Sequence, residues 1–120
     1  MILVVGGQAS GKRSYVRTLG YSDGDMADGV FDASPVMLNL HDALRGDSRT
    51  PDELASVLGD KMVITCCEIG NGIVPLDKDE RAWRERVGRT CNLLAERADS
   101  VVRMVCGIPV VLKQRERKEV

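Results

Sequence analysis

Met1-Ile-Leu-Val-Val-Gly6-Gly-Gln-Ala-Ser-Gly11-Lys12-Arg13-Ser14 decides the reading of this chain. Met1–Val5 is a continuous apolar run, the composition of a parallel strand buried on both faces. It runs into a glycine loop with Gly6 and Gly11-Lys12 at the Gly-x4-Gly-Lys spacing of a phosphate-binding loop. In such a loop, backbone N–H groups wrap the phosphate oxygens and the lysine reaches the outer phosphates. The helix that follows points its positive end at the ligand. Glycines are required because the chain turns tightly and approaches the ligand with no Cβ in the way. The stretch Gly6, Gly7, Gln8, Ala9, Ser10, Gly11, Lys12, Arg13 and Ser14 is therefore the candidate nucleotide site. The plainer alternative is a glycine turn joining a buried strand to the helix-compatible stretch Arg13–Leu19.

One position breaks the pattern. A Ser or Thr normally follows the lysine, and its hydroxyl binds the magnesium carried by the nucleotide. Here that residue is Arg13, a fixed cation where a second cation is ordinarily held. Ser14 and Ser10 are the hydroxyls left nearby.

At 120 residues with 43% apolar content, the chain reads as one globular domain with a real core. Residues 1–113 form the domain and residues 114–120, of mixed charge, form a solvated tail. Seventeen basic and eighteen acidic residues nearly cancel, which leaves no overall charge signature for nucleic acid or an anionic membrane. With one Trp, two Tyr and one Phe, stacking platforms for single-stranded nucleic acid are not expected. No apolar run reaches the length of a membrane span. The apolar opening has no basic leader or cleavage site and reads as a strand, so a cytoplasmic location is expected. The four cysteines form no Cys-x-x-Cys pair, and His41 is the only histidine, so zinc is not expected. The cysteines read as small buried hydrophobes in a reducing compartment.

Strand-like and helix-like segments alternate along the chain. Gly20–Gly29 is a polar Gly/Asp loop, Val30–Asp32 a short strand, and Val36–Leu44 helix-compatible. Pro51 opens a helix that carries Leu54 and Leu58 and ends at Gly59. Lys61–Cys67 is the clearest central strand, with Glu68 at its carboxyl end. A loop with two glycines, Ile69–Leu76, comes next. Asp77 and Glu80 have capping-box spacing ahead of a long helix running to about Ala98. The helix stripe is Trp83, Val87, Cys91, Leu94 and Ala98, which favours packing over base stacking for Trp83. Arg81, Arg84, Arg86 and Arg89 read as a solvated face, with Glu80–Arg84 and Glu85–Arg89 paired across one turn. Ser100–Cys106 and Val110–Lys113 close the domain as two strands, the last antiparallel. The alternation predicts a three-layer α/β fold with a mostly parallel sheet.

In such folds ligands sit beyond the carboxyl ends of the strands. The glycine loop, Asp32 and Glu68 are expected to meet there. Asp32, ending its strand, is the candidate magnesium ligand; its alternative is a cap or turn residue ahead of Pro35. Lys12 and Glu68 are the candidate catalytic residues. Glu68 is able to orient or deprotonate an attacking hydroxyl, or else is satisfied by loop amides. His41, in a helix-like stretch, reads as a surface or half-buried side chain.

These residues resemble the adenosylcobinamide kinase / adenosylcobinamide-phosphate guanylyltransferase family. Met1–Ser14 is similar to its opening strand and Gly-Gly-x-x-Ser-Gly-Lys-Ser loop. Glu68-Ile-Gly-Asn-Gly-Ile-Val-Pro75 is similar to its Glu-Val-Gly-x-Gly-Ile-Val-Pro loop, the most specific part of the likeness. Arg84, Gly88-Arg89, Asn92, Leu94-Ala95, Ala98-Asp99, Gly107-Ile108 and Lys113 resemble its closing helix and strands. Asp32 and Asn39-Leu40 match more weakly.

The resemblance implies a P-loop NTPase fold of the RecA-like kind, often a homo-oligomer (a trimer), with ATP or GTP and Mg2+ as cofactors. It implies phosphorylation of the aminopropanol hydroxyl of adenosylcobinamide, then GMP transfer through a guanylylated histidine. A nucleotide-binding protein without turnover is the alternative. Two departures stand out. Arg13 replaces the family's serine. Only Gly20–Gly29 fills the interval where the family carries its GMP-accepting histidine, and His41 follows Asp32 rather than preceding it.

Overall fold

The computed structural model describes residues 1–68 and 77–115. The Ile69–Leu76 loop lies outside the described residues, as do residues 116–120 of the expected 114–120 tail; Gln114 instead ends the last strand. The elements are β1 (Ile2–Gly6), α1 (Lys12–Thr18), β2 (Met26–Asp28), β3 (Val36–Leu38), α2 (Leu40–Ala43), α3 (Pro51–Leu58), β4 (Val63–Cys67), α4 (Lys78–Arg97), β5 (Ser100–Val105) and β6 (Ile108–Gln114). They build one six-stranded sheet in the order β2-β3-β4-β1-β5-β6. Every pairing is parallel except β5 with β6.

The side-chain period of two divides each strand between the two faces of the sheet. Leu3, Met37, Ile64 and Val101 pack under α2, α3 and α4, while Val4, Val36, Val63 and Val102 pack with Val16 of α1. The result is three layers, the α/β P-loop type of architecture expected from the sequence. Leu54, Leu58 and Leu94 are fully buried, each contributing roughly 1.5–3 kcal/mol by leaving water. Among the described residues, no helix is long and apolar enough to cross a membrane.

Local signals explain the helix ends. Thr50 accepts from the Glu53 N–H at 3.2 Å, with Pro51 at the first position of α3. Asp77 accepts from the Asp79 N–H at 2.8 Å and starts α4. Glu80 does not complete a capping box; it pairs with Arg45 at 2.6 and 3.1 Å instead. The Glu80–Arg84 pair expected from spacing is thereby replaced, whereas Glu85–Arg89 forms at 2.7 Å. The stripe Trp83, Val87, Cys91, Leu94 and Ala98 does pack on the sheet.

Three expectations are corrected. Val30–Asp32 is not a strand: it lies in the crossover 29–35 between β2 and β3. Val36–Leu38 is a strand rather than the start of a helix, because all three residues are buried between β2 and β4. Three apolar residues in a row carry no period that could separate the two states. Cys106 is exposed, at φ 50° in the β5–β6 turn beside Gly107 at φ 78°. Positive φ at both residues is what a tight right-twisted hairpin demands. Cys66, by contrast, is buried, and its thiol pKa is raised by hydrogen bonding with Cys91 and by burial.

Arg86 also departs from the solvated face. Its guanidinium donates to Leu44 O, Arg49 O and Asp47 Oδ1 at 3.1, 2.8 and 2.7 Å. Asp47 takes a second ion pair from Arg49 at 2.6 Å, and these bonds, the Arg49 one foremost, lower its pKa to about 2. A carboxylate held below its unfolded value of 3.8 adds stability above that pH and loses it as pH falls toward 2. Asp47→Asn is expected to lower unfolding free energy by about 2 kcal/mol near neutrality. In urea titrations the gap from wild type is expected to close as pH drops from about 4 toward 2, because the carboxylate of the unfolded chain takes up its proton first while the folded one stays ionised.

Candidate functional site

The glycine loop leaves the carboxyl end of β1 and enters α1 at Gly11, whose φ of 94° is left-handed and favours glycine. Its neighbours hold it closely. Gly6 O accepts from the Glu68 N–H at 2.9 Å, Ser10 N donates to Gly7 O at 3.2 Å, and Gly107 N donates to Ser10 O at 3.0 Å. The loop is thus pinned to the end of β4 on one side and to the β5–β6 turn on the other. A Cβ on Gly11 would meet Gly107 Cα at 3.3 Å.

Inside this frame the first turn of α1 has no side-chain cap and no acidic residue. N–H groups in a helix's first turn have no partner within the helix, so they are available to an anion. Ser10 Oγ is buried with no hydrogen-bond partner among the described residues. Lys12 is 8% exposed and folds back across the loop, donating to Gly7 O at 2.7 Å, Gly6 O at 3.2 Å and Cys67 Sγ at 3.5 Å. A buried ammonium, a buried unpaired hydroxyl and free helix amides meet in one place. That combination suits an oxyanion.

Two hollows flank Lys12. One, of about 310 Å3, is lined by Ala9–Ser14, Asp28, Leu38, Asn39 and Thr65. The other, of about 750 Å3, reaches from Gln8 and Lys12 past His41, Cys67 and Glu68 to Trp83. Ala9, Lys12 and Asn39 border both. Gly7 faces open space.

The carboxyl ends of β2 and β3 supply Asp28 and Asn39. Asn39 sits at φ 57°, a conformation Asn tolerates, with its N–H on Thr65 Oγ1 at 2.9 Å and its amide on Asp28 Oδ1 at 2.6 Å. Arg13 reaches toward Asp28 and Asp23, at 3.9 Å each, and is half exposed. Glu68 lines the larger hollow, but both its oxygens are taken by Arg103, at 2.6 and 3.1 Å.

Asp32 is the clear misplacement. It precedes β3, at the amino edge of the sheet, opposite the loop. Its Oδ1 accepts from the Ser34 N–H at 2.7 Å, and its carbonyl accepts from Lys61 at 2.7 Å. Those Ser34 bonds lower its pKa. It is a turn residue, and its candidacy as nucleotide and magnesium ligand rested on a strand that does not form. Arg13 follows Lys12 where a P-loop magnesium site has a hydroxyl, and the strand end at Asn39 is uncharged. The acidic strand end that lines the hollow, Asp28 of β2, is bonded to Asn39 and faces Arg13, so the set fits such a site poorly.

His41 is placed more centrally than its sequence context suggested. Its Nδ1 accepts from the Cys67 N–H at 3.2 Å, and its carbonyl accepts from the Trp83 indole at 3.0 Å. Burial, ahead of the other causes, lowers its pKa. A backbone N–H only donates, so the Nδ1 lone pair is occupied and the neutral ring carries its proton on Nε2. Trp83 in turn carries the Arg45 guanidinium 3.4 Å from its ring centre. Asp28, Asn39, His41, Thr65 and Arg103 were not singled out as site residues by sequence reasoning. β2 and β3 are too short for periodicity to find, and Thr65 reads as strand interior.

The family model described as Cobinamide kinase / cobinamide phosphate guanyltransferase matches residues 34–112, more than half of the chain. The matched span runs from β3 to β6; β1, the glycine loop, α1 and β2 precede it. No curated protein matches the chain.

Proposed function

Because the chain belongs to the cobinamide kinase / cobinamide phosphate guanyltransferase family, we propose that it serves cobalamin biosynthesis as a nucleotide-binding protein of the cobinamide-kinase kind. ATP or GTP places its phosphates in the smaller hollow. The loop amides, Ser10 and Lys12 hold them, with Arg13 at the rim. The acceptor, the aminopropanol arm of adenosylcobinamide, enters the larger hollow. The observation that supports this reading most is that the two hollows meet at Ala9, Lys12 and Asn39, and that Lys12 brings a positive charge to that junction, where a transferring phosphoryl group would lie. In the transfer, the acceptor hydroxyl oxygen forms a bond to the outer phosphorus as the bridging oxygen leaves with the nucleoside diphosphate. Glu68, oriented by Arg103, accepts the hydroxyl proton.

A second reading, nucleotide binding without turnover, is favoured by Arg13 and Asn39 standing where metal-binding groups belong. Incubation with ATP or GTP and adenosylcobinamide, with chromatography for the phosphorylated corrinoid, separates the two. Product that disappears in Glu68→Gln supports the kinase; bound nucleotide with no product leaves the binder.

Guanylyl transfer is not part of this proposal. With its Nδ1 lone pair engaged, His41 is expected to take no acid-labile label from radiolabelled GTP, and label at His41 would overturn that assignment. We also infer self-association and a cytoplasmic location. Ile108, Val110, Val111 and Leu112 lie 43–64% exposed on the edge strand β6, an open apolar edge of the sort proteins cover.

A further inference from the structure

We infer that the loop takes its phosphate ligand without a divalent cation, and that Arg13 supplies the positive charge a metal would otherwise bring. The inference rests on the phosphate-site reading above and goes on to the form of the ligand: free nucleotide rather than its magnesium complex.

Three placements carry it. First, the position after Lys12, where a hydroxyl would hold the metal, is a guanidinium that lines the smaller hollow. Second, the strand end facing the loop on β3 is Asn39, which brings no charge, and its amide is spent on Asp28. Third, among the described residues Asp28 is the one carboxylate lining that hollow, and it already has partners. Asp28 holds Asn39 through Oδ1 and faces Arg13 through Oδ2. A dication there would share Asp28 with Asn39 and sit beside the fixed like charge of Arg13.

Arg13 is suited to the other role. Its contacts with Asp23 and Asp28 are long, 3.9 Å each, and its side chain is half exposed. Such loose pairs cost little to break. Asp23 has a closer partner in Arg17, at 2.9 Å, and Asp28 has Asn39, so neither aspartate is stranded when Arg13 turns to a phosphate. A guanidinium binds phosphate oxygens in bidentate fashion, which suits a ligand stripped of its metal. Lys12, which lines the same hollow, meets the same phosphates.

The test is calorimetric titration of the full chain with ATP and with GTP, each in EDTA and in excess magnesium. Affinity in EDTA is expected to equal or exceed that in magnesium. Arg13→Ser is expected to weaken metal-free binding about tenfold or more. The double variant Arg13→Ser, Asn39→Asp, which restores both metal-binding groups, is expected to bind better with magnesium than without. Arg13→Lys, which keeps the charge, is expected to retain most of the metal-free affinity. Wild type that binds only with magnesium, or Arg13→Ser that binds as wild type in EDTA, would overturn the inference while leaving the phosphate site standing. No binding in either buffer would bring down the site and the inference together.

Discussion

Lys12→Met is expected to lower nucleotide affinity about a hundredfold while leaving the fold intact. Lys12 is 8% exposed and its ammonium is held in the loop by Gly7 O and Gly6 O, so the charge is already largely desolvated beside the place a phosphate would occupy. Exchanging those carbonyls for phosphate oxygens gives charge-assisted hydrogen bonds worth roughly 1.5–3 kcal/mol each, and losing one costs about one to two powers of ten. Methionine fills nearly the same space without charge. The carbonyls it abandons keep other donors, Gly6 O the Glu68 N–H and Gly7 O the Ser10 N–H. Thermal unfolding is therefore expected to shift little, so that titration calorimetry reads binding rather than misfolding. Unchanged affinity in a folded Lys12→Met protein would remove the loop as the phosphate site.

The same residues show where sequence reasoning holds and where it stops. β1, the loop and α1 were legible because an apolar run, fixed glycine spacing and a lysine leave few alternatives. The end of β4 was legible because Val63–Cys67 is largely apolar, with Thr65 the one polar residue, as suits a central parallel strand. The Asp28–Asn39–Arg13 cluster was not. It is assembled by β2 and β3, two strands of three residues each, joined by the crossover 29–35. Parallel strands normally need a longer return; here the strands are so short that a loop suffices. Reading that loop as the strand put Asp32 at the wrong edge of the sheet and concealed the uncharged strand end at Asn39. His41 was missed for a related reason. Its value comes from Cys67 and Trp83, distant in sequence and brought to it by β4 and α4.

Among the loop glycines, Gly6→Ala is expected to be the costly substitution, at about 2–4 kcal/mol of unfolding free energy. A Cβ on Gly6 would stand 2.5 Å from Ser10 Oγ and 2.8 Å from Met104 O. The serine hydroxyl can rotate, but Met104 O belongs to the backbone of β5, whose Met104 is paired in register with Gly6. Relief therefore requires prising β1 from β5 at the end that carries the site. Gly11→Ala meets a different obstacle, left-handed backbone at φ 94° and Gly107 Cα at 3.3 Å, and is expected to cost about 1–2 kcal/mol. Gly7→Ala meets nothing within 4 Å and is expected to unfold close to wild type. Urea titration of the three variants tests the ranking. Gly6→Ala as stable as Gly7→Ala would mean that β1 and β5 are not in close contact at the loop. The functional consequence follows from the bond between Gly6 O and the Glu68 N–H. A shift of β1 there moves the phosphate loop relative to the carboxylate proposed to accept the hydroxyl proton. Any Gly6→Ala protein that still folds is thus expected to lose transfer more than it loses nucleotide affinity.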